Sequence, residues 1–291
     1  MERILITGAN GQLGSSLREK LKSKKECIFL SRDELDLTNI NKIKAVLSNY
    51  NPDIIINSAA YTAVDKAEDD RETAEIVNAL APAVIASYCS ENNCRLIHIS
   101  TDYVFNGYKT SPYYETDLPD PLNVYGLTKL KGEQLVTGNC EDAVIIRTSW
   151  VYSAYGNNFV KTMLRLMELK DSLNVVNDQH GTPCYAGDLA EAILHIAGLD
   201  YWLPGIYHYS NAGATTWFEF AERIKQFAEK NVELKPVTSE FYPVKAKRPK
   251  YSVLSKEKIH AVYNLKIPDW EVSLKAFLST VDLSENGAKT S

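Results

Sequence analysis

Short runs rich in Ile, Leu and Val recur through the first half of this 291-residue chain, amphipathic stretches separate them, and a glycine triplet follows the first run. Strands covered by helices on both faces read as such near-continuous apolar runs. Together these features predict an α/β fold: a Rossmann-like doubly wound parallel sheet over residues 1–149, which later segments can rejoin, and a smaller C-terminal α/β domain over 150–281.

The runs are Ile4–Thr7, Cys27–Leu30, Ile54–Asn57, Leu96–Ser100 and Ala143–Arg147, each of strand length. Between them Leu13–Lys24, Ile40–Tyr50, Glu68–Glu91 and Tyr125–Val136 carry apolar residues at helical spacing. After Trp150 the alternation loosens into a helix at Phe159–Leu169, a strand at Leu173–Val176, a helix at Asp188–Ala197 and a strand at Gly205–Tyr209. Thr215-Thr216 opens a further amphipathic helix to Glu229, and the proline-interrupted stretch Val237–Pro249 has little periodicity. The polar residues 282–291 read as a disordered tail.

With 45% hydrophobic and 24% charged residues the chain can build a large core without staples. A net charge of −5, with Lys and Arg dispersed among acids, offers no basic surface to nucleic acid. The N-terminus enters a buried strand at once instead of a signal segment, and no apolar run approaches the ~20 residues of a membrane span. A cytoplasmic protein without membrane contact is expected. Cys27, Cys89, Cys94, Cys140 and Cys184 are odd in number and widely spaced, so they read as reduced thiols, and no ligand set for a metal is evident.

Gly8, Gly11 and Gly14 stand between the first strand and the first helix. Glycines there permit a sharp turn and close approach of a pyrophosphate to the free N–H groups of the helix start, which indicates a dinucleotide. At the end of the second strand, where an acid usually binds a ribose 2′-hydroxyl, stand Ser31 and Arg32. A hydroxyl and a guanidinium suit a 2′-phosphate, so NADPH is the first choice of cofactor and NADH the second. The alternative is that Arg32 is a solvated loop residue and Asp33 takes the ribose.

Tyr125 and Lys129 lie four residues apart, one helical turn on one face. A neighbouring ammonium favours the phenolate and brings a tyrosine closer to useful proton transfer. The spacing also arises by chance on a solvated surface, but Ser100-Thr101-Asp102 follows a buried strand and brings a hydroxyl to the crevice edge. Thr101 is then placed to hold an oxygen that Tyr125 protonates, with Lys129 also reaching a nicotinamide ribose.

These residues resemble the extended short-chain dehydrogenase/reductase superfamily and, within it, the dTDP-4-dehydrorhamnose reductase family. The resemblance runs from about residue 3 to about residue 280, and its most specific pieces are Ala59–Glu68, Ser100–Phe105, Pro121–Gly126, Arg147–Tyr152, Gly156–Phe159 and Asn177–Gln179. It implies that Gly11, Gln12 and Leu13 face the pyrophosphate, Asp36 and Leu37 the adenine, and Ala60, Tyr61 and Thr62 the middle of the cofactor. It implies also that Thr101, Asp102 and Trp150 meet a dTDP-sugar and that Arg248 lies near the diphosphate, making residues 150–281 a substrate-binding domain. The implied reaction is reduction of the C4 ketone of dTDP-4-dehydro-β-L-rhamnose. Trp150 as core, Asp102 as a turn cap and Arg248 as a solvated loop residue are the plainer readings of the same positions.

The chain departs from the family at Cys184, at Ala246-Lys247, and at Ser16, where some members carry a carboxylate for a metal that joins subunits. A monomer or weak homodimer is expected in consequence. Two other functions share this fold: a sugar-nucleotide epimerase or dehydratase that recycles bound NAD, and a regulatory subunit resembling that of methionine adenosyltransferase. Asp102-Tyr103 after Thr101 argues against dehydration, and an intact Thr101, Tyr125 and Lys129 argues against pure regulation.

Overall fold

The computed structural model describes residues 2–22, 26–242 and 244–280, so the tail expected at 282–291 lies outside the described residues. The first half runs β1 (Ile4–Thr7), α1 (Gln12–Lys20), β2 (Cys27–Leu30), α2 (Ile40–Tyr50), β3 (Ile54–Asn57), α3 (Val64–Ala67), α4 (Arg71–Glu75), α5 (Ala81–Glu91), β4 (Arg95–Thr101), α6 (Val124–Asn139) and β5 (Val144–Thr148). The second half runs β6 (Val151–Tyr152), α7 (Phe159–Leu169), β7 (Ser172–Val176), β8 (His180–Gly181), β9 (Cys184–Tyr185), α8 (Ala186–Ala197), β10 (Gly205–His208), β11 (Thr215–Thr216), α9 (Trp217–Phe227), β12 (Glu233–Val237), α10 (Glu257–Tyr263) and α11 (Trp270–Thr280).

Six parallel strands form the central sheet in the order β10-β5-β4-β3-β1-β2. The five apolar runs read from the sequence are its first five strands. The sixth, β10, comes from beyond residue 150, and α8 packs on α1, so the chain returns to the sheet after the expected division at residues 149 and 150. The remaining later segments close round a separate core in which Met163, Leu164, Phe220, Ile224 and Leu274 are buried between α7, α9 and α11.

The helix expected over Glu68–Glu91 is interrupted. Residues Ile76–Leu80 form a π turn ahead of α5, and Pro82 supplies the reason. Proline has no N–H for the carbonyl four residues earlier, here Asn78, and its ring crowds that carbonyl. Sequence spacing also misses the two-residue strands and β12, in which Pro236 lies in a parallel ladder against β7. No helix among the described residues is long and apolar enough to cross a membrane.

Candidate active site

The turn between β1 and α1 is shaped by what its glycines leave open. Gly8 has φ +67°, and a Cβ on Gly14 would lie 2.3 Å from the Gly8 carbonyl oxygen. Only glycine allows this close return of the chain, which points the first N–H groups of α1 outward. Basic Arg18 and Lys20 stand at the far end of α1 and no acid at its start, so the helix start keeps its partial positive charge. The backbone here fits a pyrophosphate without any side-chain donor.

Beside the cradle, Arg32 is largely exposed and loosely paired with Asp36 at 3.8 Å. Leu37 is buried with Leu5, Leu30 and Ile43 in the core of this side of the sheet. Ser31 gives its N–H to Glu34 at 2.7 Å, and its hydroxyl bonds the same carboxylate. Ala60, Tyr61 and Thr62 follow β3 and are held by a residue that sequence spacing missed. Asn78 accepts from the Tyr61 N–H at 2.8 Å, donates to the Tyr61 carbonyl at 3.1 Å, and donates to the Thr128 hydroxyl at 3.1 Å. The π turn before Pro82 thus ties the cofactor-side loop to α6, and the proline four residues on was its one sequence signal.

Thr101, Tyr125 and Lys129 come together where β4 ends against α6. Asn123 caps α6 through the Gly126 N–H at 2.8 Å and also donates to the Lys247 carbonyl. Burial pushes the Tyr125 phenol up to about 12, and the Thr101 hydroxyl facing it is the influence that favours the phenolate. Lys129 lies one turn further along α6. Its ammonium is buried, donates to the Ile99 carbonyl at 2.6 Å, and is itself pushed down to about 8 by desolvation.

Asp102 is buried, and it is Thr101, not Asp102, that caps the following turn, accepting from the Tyr103 N–H at 3.2 Å. The Thr101 hydroxyl donates to Asp102 Oδ1 at 3.1 Å, while Oδ2 has no hydrogen-bond partner. Burial pushes this carboxyl up to about 7. Below α6, Glu133 accepts from Ser100 at 2.5 Å and from Arg147 at 2.6 Å, an enclosed ion pair that fixes the helix to β4 and β5.

A cavity of about 610 Å³ opens between α7, β7 and residues 239–242 and 244–248, with Phe159, Met163, Gln179, Trp217, Tyr242 and Arg248 in its wall. Trp150, at φ +43°, packs half-buried against the second core and stacks on the cavity-lining Trp217 with ring centroids 3.5 Å apart. Arg248 is no solvated loop residue: Asp65 of α3 grips it at 3.0 and 2.5 Å, and it faces Tyr103, whose ring lies edge-on to Tyr125. The cation therefore stands between the Tyr125 cluster and the cavity. A second hollow of about 490 Å³, bordered by Tyr114, Glu115, Ile206 and Lys258, is remote from these groups in its lining.

The family described as RmlD substrate binding domain matches residues 1–283. The chain belongs to this family. It is 41% identical to a dTDP-4-dehydrorhamnose reductase of Aggregatibacter actinomycetemcomitans, over 94% of this chain and 98% of that one. It is also 41% identical to the spore coat polysaccharide biosynthesis protein SpsK of Bacillus subtilis, over 96% and 97%. Among solved structures, a Bacillus anthracis dTDP-4-dehydrorhamnose reductase in complex with NADP superposes with a TM-score of 0.92 at 41% identity, covering 96% of this chain and 99% of that one. Family members more distant in sequence keep the same fold, as in a Yersinia enterocolitica dTDP-4-dehydrorhamnose reductase at 28% identity and TM-score 0.89.

Proposed function

We propose that this chain reduces the C4 ketone of dTDP-4-dehydro-β-L-rhamnose to dTDP-L-rhamnose, with NADPH as the preferred reductant and NADH as the second. The observation that carries the reading is the meeting of Thr101 and Tyr125 where β4 ends against α6, with Arg248 touching Tyr103 beside Tyr125 and also lining the cavity. Membership of the family and the NADP complex of the Bacillus anthracis relative support the same reaction and cofactor.

Gly8, Gly11, Gln12, Leu13 and Gly14 would hold the pyrophosphate through main-chain N–H groups, with Ser31, Arg32, Asp36 and Leu37 at the adenosine end. Ala60, Tyr61 and Thr62 would line the middle, and Lys129 the nicotinamide ribose. The bound cofactor supplies a hydride to the sugar carbon. Tyr125 gives its phenolic proton to the ketone oxygen, so that a C–H and an O–H bond form as the carbonyl π bond breaks. With a phenol held near 12, Tyr125 keeps its proton at neutral pH until the alkoxide develops, as a donor must. Thr101 orients the oxygen, Asp102 and Trp150 border the sugar, and Arg248 meets the diphosphate with two directional donors. Ser16, whose hydroxyl donates to the Gln12 carbonyl one turn back, offers no carboxylate for a metal bridge, and that is the ground for a monomer or weak dimer.

The test supplies dTDP-4-dehydro-L-rhamnose with NADPH and with NADH, follows the reduced-nicotinamide absorbance and identifies the product. Stoichiometric oxidation with dTDP-L-rhamnose as product is expected. Consumption of neither cofactor overturns the reading, and conversion without net oxidation would make the chain an epimerase.

A further inference from the structure

The cradle and the cavity are joined by a side chain that neither proton transfer nor pyrophosphate binding requires. Gln12 is the first residue of α1, and the main chain there is what suits a pyrophosphate. Its side-chain amide points elsewhere. Nε2 donates to the Val151 carbonyl at 3.2 Å, and Oε1 accepts from the Ser153 hydroxyl at 3.1 Å and from Asn158 Nδ2 at 2.9 Å. Val151 opens β6, and Ser153 and Asn158 lie on the connection from β6 to α7.

Asn158 is committed at both ends of its own amide. Its Oδ1 caps α7 by accepting from the Lys161 N–H at 3.1 Å, and its Nδ2 donates also to the Ser153 carbonyl at 2.8 Å. The next residue, Phe159, begins the helix that carries Phe159, Thr162 and Met163 into the cavity wall. A weaker strut, from the Tyr155 hydroxyl to Glu19 at 3.3 Å, ties the same connection to α1. The contacts thus run unbroken from the cradle through Gln12 and Asn158 to the cavity.

We propose that the Gln12 side chain couples the two half-sites, so that a dinucleotide at the start of α1 and a nucleoside diphosphate in the cavity each tighten the binding of the other. This rests on the functional reading above. A ligand held by the main chain of residues 11–14 fixes the Gln12 backbone, and three directional hydrogen bonds pass that restraint to residues 151–158 and the first turn of α7. Whichever ligand binds first carries the cost of fixing this connection, and the second finds it already set.

Calorimetric titration of dTDP into the full chain, without and then with saturating NADP⁺, gives a coupling factor as the ratio of the two dissociation constants. Titrating NADP⁺ with and without dTDP must return the same factor. The expected value is at least about fivefold for the unaltered protein, at the lower end of ordinary allosteric coupling. Gln12→Met keeps length and volume without the amide, and Asn158→Asp keeps the capping oxygen while losing the donor to Gln12. In both, the factor should fall towards one. Because it is a ratio measured on a single variant, a plain loss of affinity for either ligand cancels from it. Should Gln12→Met fail to fold, Asn158→Asp carries the same test. Absence of coupling in the unaltered protein, or full coupling in the variants, overturns the inference. Failure of the unaltered protein to bind dTDP at all would overturn the functional reading instead.

Discussion

The two faces of the central sheet are built differently. On the face under α1 and α8 the inward side chains are mostly apolar, with Ile4, Ile6, Ile54, Ile56, Ile97, Val144, Ile146 and Tyr207 buried and Thr148 at the end of β5 set against Cys184 of this core. On the face under α2, α5 and α6 the same strands start apolar, with Leu5, Ile55, Leu96 and Ile145, and end polar, with Thr7, Asn57, His98, Ser100, Arg147 and His208 buried. Thr7 donates to Asn57, Asn57 meets His98 at 3.0 Å, Ser100 and Arg147 meet Glu133, and Arg147 approaches His208. Burying such groups is costly unless they are paired. The polar end coincides with the carboxyl ends of the strands, beneath the half of α6 that carries Tyr125 and Lys129. One face holds the sheet together, and the other gives up part of that role to position a site.

The sharpest break in this contrast is Tyr125→Phe, which removes one hydroxyl above the polar end. It should lower kcat by about 10²–10⁴, the usual worth of a positioned proton donor, while NADP⁺ binding measured by calorimetry persists. Near-normal turnover would remove Tyr125 from the chemistry.

Next in size is the enclosed ion pair. Glu133→Leu leaves the Arg147 guanidinium buried and unpaired and should cost about 3–5 kcal/mol in urea unfolding. Glu133→Leu combined with Arg147→Met, which removes both charges, should recover most of that loss. If the double variant is no more stable than the single one, the pair is not what the polar end depends on.

How much of this was legible in sequence follows the same division. The five strands from Ile4–Thr7 to Val144–Thr148 were readable because burial on both faces writes a short apolar run, whichever face each side chain takes. Thr101, Tyr125 and Lys129 were readable because a strand end and a four-residue helical spacing are local. The Asp65–Arg248 pair spans 183 residues and the Gln12–Asn158 contact 146, and nothing local marks either. The surroundings of Lys129 were hidden for a related reason. Spacing places the ammonium one turn away, but its reach to the Ile99 carbonyl and its loss of solvent depend on the packed sheet.

The buried ammonium also makes a pH prediction. With Lys129 pushed down to about 8, it is cationic below that value and loses its proton above it. Reduction that needs the cation should therefore show kcat/KM falling above about pH 8, and Lys129→Met should abolish that limb along with most activity. The stability signs differ. Between about 8 and 10.5 the unfolded chain holds the Lys129 proton and the folded one does not, so this group's contribution makes stability rise with pH. Asp102, raised from 3.8 to about 7, does the reverse, holding a proton only when folded and lowering stability as pH rises through that window. Urea titrations of Asp102→Asn against the unaltered protein across this lower range measure its share. An unchanged pH slope would show that the carboxyl is not held protonated by burial.

The smallest effect is the one that isolates the contrast. Ile56→Val on the apolar face removes one methylene from a fully buried position and should cost about 0.5–1.5 kcal/mol in unfolding free energy. Its immediate neighbour Asn57 points to the opposite face, so the same few ångströms of β3 serve both tasks. If the faces are as separable as their composition indicates, the lost methylene should leave kcat and its alkaline limb where they were. Asn57→Leu, a change of similar volume on the polar side, should strip His98 of its partner and disturb both. A shift of the alkaline limb by Ile56→Val would mean that packing under α1 and α8 reaches through the sheet to Lys129, and that the two faces act as one.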